Sequence, residues 1–459
     1  DRGYLLAKPL SLLLAVYLAW LFASLQWMPF SRNSVLCAAL VVATASLIVV
    51  YTRRVDVSAF LRDNLRLVIT GEALFMGSFF LFLVIRAANP DLWHQYNGGE
   101  KPMEMAYLTA VVRSTFMPPY DPWFAGGYIN YYYFGPFIVA SLIKVTGILP
   151  EVAFNLAVPL FFALTTVGTF SLAYNLAEGT RRSRGTDGIR ASPVLAGLAA
   201  VFLVALMGNL DGIVQVAQGL ARMWGDNQPF GTFDFWRSSR VIPPGDPRGN
   251  EITEFPFWTF LFADLHAHLM AIPFTLLSLG TALNIALRLK DGLSLLTRVF
   301  LLLALALAVG SLRAINTWDF PTYLIIGVLA VLVGEYAHSR RVNVGLIVRV
   351  AIQGTFLYWA TTLLFAPFID NYLSFSDGVF FSKWQTPLYA YLGVHGLFIF
   401  IVATFLMYRA RSYIPGFFRA ITSLHQDGNI TKELASDSGK SLRLIVLIGL
   451  TLASLITLV

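Results

Sequence analysis

Uninterrupted apolar runs, separated by charged or turn-forming residues, recur along the whole chain. They lie near 5–25, 35–51, 67–86, 152–177, 192–208, 268–288, 298–313, 322–337, 344–367, 387–408 and 442–459. A hydrocarbon core of about 30 Å needs roughly 20 apolar residues at 1.5 Å each. These runs therefore predict an all-α polytopic membrane protein, with about eleven transmembrane helices in a single transmembrane domain, 1–459. One further run, 132–148, is different. Gly135-Pro136 interrupts its entry, Lys144 sits near its end, and Gly147 and Pro150 follow. It is expected to be an embedded helix that returns without crossing, which membranes tolerate when the segment is buried in protein.

The basic residues support that choice. Arg53, Arg54, Arg62 and Arg66 form one cluster, and Arg181, Arg182, Arg184 and Arg190 form a second. Arg288 with Lys290, Arg340 with Arg341, and Arg409, Arg411 and Arg419 form three more. Cytoplasmic loops hold the excess of Lys and Arg, and all five clusters fall on one side only if 132–148 does not cross. A multi-pass protein of the cell or plasma membrane is expected, with basic loops cytoplasmic and two long segments extracytoplasmic. The first is 87–151, including the embedded helix, and the second is 209–262; shorter outer segments lie at 314–320 and 368–386. Loops of such length are uncommon unless functional or disordered. The two long ones are rich in Trp, Tyr, Phe, Pro and Gly, which is not a disorder composition.

Composition narrows the function classes. Of 459 residues, 57% are hydrophobic and only 13% charged, and the mean hydropathy is +0.66. Water-soluble folds carry about 25% charged residues, so cytosolic enzymes and nucleic-acid modules are excluded as whole-chain readings. The net charge of +7 belongs to the basic loops rather than to a nucleic-acid partner. A lone Cys37 excludes an intrachain disulfide. No cleavable signal peptide is evident; the chain begins without Met and stops in an apolar run, as expected if natural ends are missing.

The candidate chemistry lies in the outer segments. Asp91 follows the third span closely, within Asn89-Pro90-Asp91-Leu92-Trp93-His94. After Gly98-Gly99 come Glu100 and Lys101, then Pro102 and Glu104, which suit the first turn of a helix. Asp121 stands in Pro118-Pro119-Tyr120-Asp121-Pro122-Trp123, ahead of Tyr131-Tyr132-Tyr133. Tyrosines near a bilayer surface anchor helices, and they also stack on sugar rings while their hydroxyls bond to the sugar's own. In Trp236-Arg237-Ser238-Ser239-Arg240 two arginines three apart match a phosphate, or else form a solvated basic turn. Asp264, His266 and His268 form a trio able to hold a divalent cation, or to pack as hydrogen-bonded groups at a helix entrance. Asn316 and Asp319 stand beside another span, where an N-cap and turn before Pro321 is the commoner meaning. Ionisable groups gathered at a membrane boundary are usually functional when they face a cavity.

These motifs resemble the uncharacterised YYY membrane-protein family, named for the triplet at Tyr131-Tyr132-Tyr133. The likeness covers Gly99-Glu100-Lys101-Pro102-Met103, Asp121 to Gly126, Trp236 to Arg240, Asp264 to His268 and Asn316 to Asp319. More distantly the layout is similar to the GT-C glycosyltransferases, in which an acidic residue follows a span in the first outer loop and an embedded helix comes next. Some members acting on undecaprenyl-linked sugars also have Glu-Lys-Pro, as at Glu100-Lys101-Pro102. Two extra spans before that loop, and Leu92 where a second acid would stand, depart from the pattern. The resemblance implies a membrane enzyme that moves a sugar from a polyprenyl-phosphate donor to an acceptor at the extracytoplasmic face. Asp91, Glu100 and Asp121 would be catalytic, with Asp91 first as base. Lys101, Tyr131, Tyr132, Tyr133, Arg237, Arg240, Asn316 and Asp319 would bind substrate. Asp264, His266 and His268 would hold a Mg or Mn ion if one is used. The expected partners are the lipid-linked donor, membrane lipids and other membrane proteins. A non-catalytic subunit of a larger assembly, and after it a transporter, are the competing readings; for the latter Glu72 and Glu335 are the main intramembrane acids.

Overall fold

The computed structural model describes residues 1, 3–94, 98–184, 192–242, 251–373 and 385–411. The expected span 442–459, most of 368–386, and Arg190 and Arg419 lie outside the described residues. In chain order the helices are α1 (Ala7–Ser24), α2 (Arg32–Thr52), α3 (Arg54–Asp63), α4 (Leu65–Ala88), α5 (Lys101–Arg113) and α6 (Phe134–Thr146). Then follow α7 (Pro150–Arg184), α8 (Pro193–Val201), α9 (Asp211–Gly225), α10 (Phe235–Ser238), α11 (Pro256–Phe262) and α12 (Ala267–Arg288). The series ends with α13 (Leu295–Ile315), α14 (Asp319–Ser339), α15 (Val344–Leu364), α16 (Ala366–Ile369) and α17 (Leu388–Ala410). No strand occurs among the described residues, as the apolar runs predict.

Nine of these helices are long and apolar enough to cross a membrane: α1, α2, α4, α7, α12, α13, α14, α15 and α17. The run at 192–208 forms α8 and one π-helical turn, Phe202–Leu206. By length and composition it qualifies only together with α9, which raises the number of spans among the described residues to at most ten. The embedded run is α6, 13 residues, or about 20 Å at 1.5 Å per residue, short of the hydrocarbon thickness. Its residues are buried on nearly every side, from Phe134 through Ile143. Gly135 lets it approach α12, because a Cβ there would stand 2.6 Å from the Met270 side chain.

The chain divides into two compact units, Asp1–Leu206 with Thr259–Ser376, and Met207–Trp258 with Asp377–Val459. In the first unit α7 and α12 are buried along most of their length, whereas α2 and α4 face outward. Phe154, Phe161, Phe162 and Phe170 of α7 and Phe274 of α12 are fully buried. Burying a side chain of that size contributes about 1.5–3 kcal/mol where water is excluded; against lipid, close packing supplies the stabilisation. The intramembrane acids are partnered. Glu72 accepts from Lys8 at 2.8 Å and from the Tyr4 hydroxyl at 2.9 Å. Glu335 accepts from Arg298, from Arg349 at 2.7 Å and from Gln353 at 2.9 Å, tying α13, α14 and α15 together.

The second unit holds α9, α10 and α17. Leu210 N–H donates to the Gly393 carbonyl at 2.9 Å, which joins the start of α9 to α17. Gln215 of α9 bonds both ways with the Asp234 backbone, at 2.8 Å each, and so fixes the segment leading into α10.

Candidate functional site

Five elements of the first unit meet at one end of the bundle: the close of α4, the start of α5, the entry to α6, the turn before α12, and the α13–α14 connection. Two backbone features bring the first acids in. Gly99 has φ +62, and a Cβ there would stand 2.5 Å from the Phe262 ring and 2.8 Å from Asp264 Oδ2. Only glycine takes up that conformation in that space without strain. Opposite it, Ala263 is held at φ +59, between the end of α11 and Asp264. A non-glycine residue there stores about 1 kcal/mol or more, a cost that clusters at functional sites.

Asp264 is buried. Its Oδ2 accepts the Glu100 amide at 2.9 Å, while its Oδ1 is buried with no hydrogen-bond partner. Burial pushes its carboxyl up from the usual 3.8 to about 6, against the lowering effects of the Glu100 amide and of Lys101. Lys101 opens α5 and is itself buried, its Nζ donating to the Gly98 carbonyl at 3.3 Å and lying 4.1 Å from the Phe262 ring centroid. Burial lowers its pKa, and the nearby Asp264 opposes that effect.

The centre of the site is His266, at the N-cap of α12. Its Nε2 lies 3.2 Å from Glu100 Oε2 and 4.0 Å from Glu104 Oε1, and shares a 2.8 Å hydrogen bond with the Tyr131 hydroxyl. Glu100 and Glu104 are one helical turn apart and so lie on the same face of the chain entering α5. They differ sharply in environment: the Glu100 side chain is 56% exposed, the Glu104 side chain 2%. Glu104 Oε1 has no hydrogen-bond partner. Burial, followed by the charges of Asp264 and Glu100, raises the Glu104 pKa well above the ordinary carboxylate value. Leaving a buried carboxylate oxygen unsatisfied costs a few kcal/mol, so the fold holds this group at some expense.

An aromatic wall closes one side. Tyr131 stacks on Tyr107 with centroids 5.7 Å apart and lies against Tyr132 at 4.6 Å, and Trp123 stands edge-on to Tyr107 at 5.2 Å. Burial and the neighbouring glutamates push the Tyr131 phenol up. Tyr132 is raised to about 12 by burial and by its hydrogen bond with Tyr372. His268, in the first turn of α12, is edge-on to His266 at 5.1 Å and lies in the field of both Asp264 and Asp319.

The other residues singled out from the sequence take different places. Asp91 is exposed just beyond α4, within the field of Arg86. Arg86 is buried and donates to Asn155 of α7, whose own amide donates to the Pro90 carbonyl at 3.1 Å. Asp121 accepts from the amides of Trp123 at 2.8 Å and Phe124 at 3.1 Å, an Asx turn that shapes the loop. Tyr133, expected to face substrate with its two neighbours, is instead buried. Its hydroxyl accepts from Trp20 Nε1 at 3.3 Å, and its ring packs on Phe368. Asn316 donates to Asp319 Oδ2 at 3.0 Å, which makes this pair the bend between α13 and α14.

Arg237 and Arg240 belong to the second unit, where acids already engage them. Arg237 Nε donates to Asp211 at 2.9 Å and Nη1 to Gln218 at 3.2 Å, beside a cavity of about 180 Å³ lined also by Arg222 and Asp234. Arg240 donates to Glu254 at 3.1 Å, and its guanidinium carbon lies 5.0 Å from the Trp236 ring centroid. The phosphate clamp expected from their spacing is therefore, in this structure, two separate ion pairs.

Among the described residues one group of three side chains offers ligand atoms close enough for a metal ion: Glu100, Glu104 and His266, all within 4.8 Å of one another. Of the expected trio only His266 takes part. Glu104, Tyr107 and Arg86 join the site without having been singled out as functional from their local sequence. The four-residue spacing from Glu100 was the signal available for Glu104.

A family model described as "Uncharacterized membrane protein (DUF2298)" matches residues 14–459. The chain belongs to that family. No curated protein and no solved structure matches it.

Proposed function

We propose that this member of an uncharacterised membrane-protein family is a glycosyltransferase that moves a sugar from a polyprenyl-phosphate donor to an acceptor at the extracytoplasmic face. The observation that carries the reading is Glu104. It is a buried carboxylate with an unsatisfied oxygen, beside a second acid and a histidine, under a wall of tyrosine rings. A general base works best when its pKa lies near the operating pH, and burial moves a carboxyl in that direction. Glu104, with Glu100 beside it, takes the proton from the acceptor hydroxyl. Tyr107, Tyr131 and Tyr132 provide flat, polar-tipped faces for a sugar ring. Lys101, next to Glu100 in the chain, offset by burial and Asp264, supplies positive charge toward a departing phosphate. Displacement at the anomeric carbon forms the new glycosidic bond, breaks the bond to phosphate, and inverts the centre. Asp91 keeps a place in this reading as an exposed acid at the donor's approach, and Asp121 as the residue that sets the loop bearing Trp123.

The test is release of polyprenyl phosphate in proteoliposomes given a panel of polyprenyl-phosphate hexoses and pentoses together with a cell-envelope lipid and glycan extract that supplies the acceptor hydroxyl. Wild type is expected to release it with at least one donor, and Glu104→Gln to lower the rate about 100-fold or more, within the usual range for general-base removal. Equal rates would reject the role of Glu104, and no turnover with any donor would reject sugar transfer. A non-catalytic subunit is the second reading, favoured by the exposure of Trp123, Phe124 and Tyr128 on the same loop. Turnover by the purified chain alone discriminates against it.

A further inference from the structure

We propose that Glu100, Glu104 and His266 form a binding site for one divalent first-row cation of the zinc or manganese class. With an ion bound Glu104 is a ligand rather than a free base, and the ion would then lower the pKa of the acceptor hydroxyl in its place; that use in catalysis rests on the transferase reading, but the site itself does not. Each residue offers one atom, and the pairs centred on His266 Nε2 stand at 3.2 Å from Glu100 Oε2 and 4.0 Å from Glu104 Oε1. Ligands held about 2.1 Å from a metal sit roughly 3–4 Å from one another, so these two separations match a coordination shell, and all three atoms lie within 4.8 Å of one another. The independent mark is Glu104 Oε1: the side chain is 2% exposed, the oxygen has no hydrogen-bond partner, and it is turned toward His266. The Tyr131 hydroxyl shares a 2.8 Å hydrogen bond with Nε2 in the ion-free site, a bond that would give way when Nε2 ligates the ion.

The donor set limits the ion. Two carboxylates and an imidazole favour Zn²⁺ or Mn²⁺, whereas Ca²⁺ and Mg²⁺ prefer all-oxygen shells. Two carboxylates also balance the charge of a divalent ion. The Asp264–His266–His268 combination is a weaker alternative. Asp264 Oδ2 is committed to the Glu100 amide, and His268 is placed in the field of Asp264 and Asp319. Asp264 acts as a positioning residue here, since its bond to that amide holds the backbone from which Glu100 reaches His266.

Calorimetric titration of the purified full chain in lipid nanodiscs with ZnCl₂ and with MnCl₂, after chelation, tests the site. One equivalent of either ion is expected on wild type and on His268→Ala. Affinity is expected to fall about 100-fold or more in Glu104→Gln and His266→Ala, beyond the 10–100-fold typical of losing an outer-shell partner. Glu100→Gln, at a largely exposed side chain, gives the same loss without threatening the fold. Absence of stoichiometric binding, retention in Glu104→Gln and Glu100→Gln, or loss in His268→Ala would each overturn the assignment. Sugar release that persists without bound ion and survives chelation removes the cation and leaves the transferase. Ion binding with no release of polyprenyl phosphate does the reverse.

Discussion

Replacing Asp264 by Asn is expected to stabilise the protein above neutral pH and to leave its stability almost unchanged in acid. The carboxyl is lifted from 3.8 to about 6 by burial, after the favourable effects of the Glu100 amide and Lys101 are included. A displacement of that size corresponds to about 3 kcal/mol of penalty on the ionised form. The sign follows from linkage. Below the unfolded pKa both states hold the proton and there is no penalty. As pH rises from there the unfolded chain loses the proton first, and the cost of folding an ionised Asp264 grows until pH passes the folded value. The penalty is about 1 kcal/mol near pH 4.5 and about 3 kcal/mol near pH 8. The substituted asparagine carries no charge at either pH, and its Oδ1 can accept the Glu100 amide. Its NH₂ takes the place of Asp264 Oδ1, which has no partner, at a cost of about 1 kcal/mol. The net gain is therefore near zero at pH 4.5 and about 2 kcal/mol at pH 8. Thermal unfolding of metal-stripped protein in detergent at the two pH values measures it. A variant no more stable than wild type at pH 8, or a gain equal at both values, would refute the reasoning.

Other outcomes follow from the same contacts. Gly99→Ala combines a positive φ with a Cβ 2.5 Å from the Phe262 ring, and is expected to cost about 2–4 kcal/mol in thermal unfolding. Tyr131→Phe and Tyr133→Phe each remove one hydroxyl contact, so each should lose about 1 kcal/mol of stability. Only Tyr131→Phe should slow polyprenyl-phosphate release, because only that hydroxyl reaches His266; equal effects on turnover would contradict the separation. Arg240→Gln leaves the mostly buried Glu254 without its guanidinium and is expected to destabilise the second unit by about 2 kcal/mol. Faster hydrogen exchange over 236–258 would register it.

Nine of the eleven expected spans were legible because apolar runs of that length have few alternatives, and their ends shifted by a few residues, as from 298–313 to Leu295–Ile315; the run at 192–208 does not qualify alone, and 442–459 lies outside the described residues. Short helices hidden among polar residues were not legible. Asp56 and Arg62 made α3 read as loop, and the segment read as outer loop 209–262 contains α9, α10 and α11. At the site, His266 and Glu100 stood out as ionisable groups beside glycines and a span. Glu104 did not, since two residues after Pro102 an acid has an ordinary role at a helix start; only tertiary burial gives it another. The tyrosine triplet could not be divided by spacing. The chain turns into α6 there, which points Tyr131 at His266 and Tyr133 at Trp20. The acids facing Arg237 and Arg240 lie 26 residues before and 14 after them, beyond any local motif.

The most direct test of the central claim is where a donor lipid sits. A photoreactive polyprenyl-phosphate sugar, carrying its diazirine on the sugar, can be crosslinked to the full chain in nanodiscs and mapped by peptide mass spectrometry. Label on 98–107, 131–132 and 262–268 is the predicted result, reduced by competing unlabelled donor. Label confined to 207–258, or label that competing donor fails to reduce, would contradict the assignment of the Glu100–Glu104–His266 cluster as the catalytic centre.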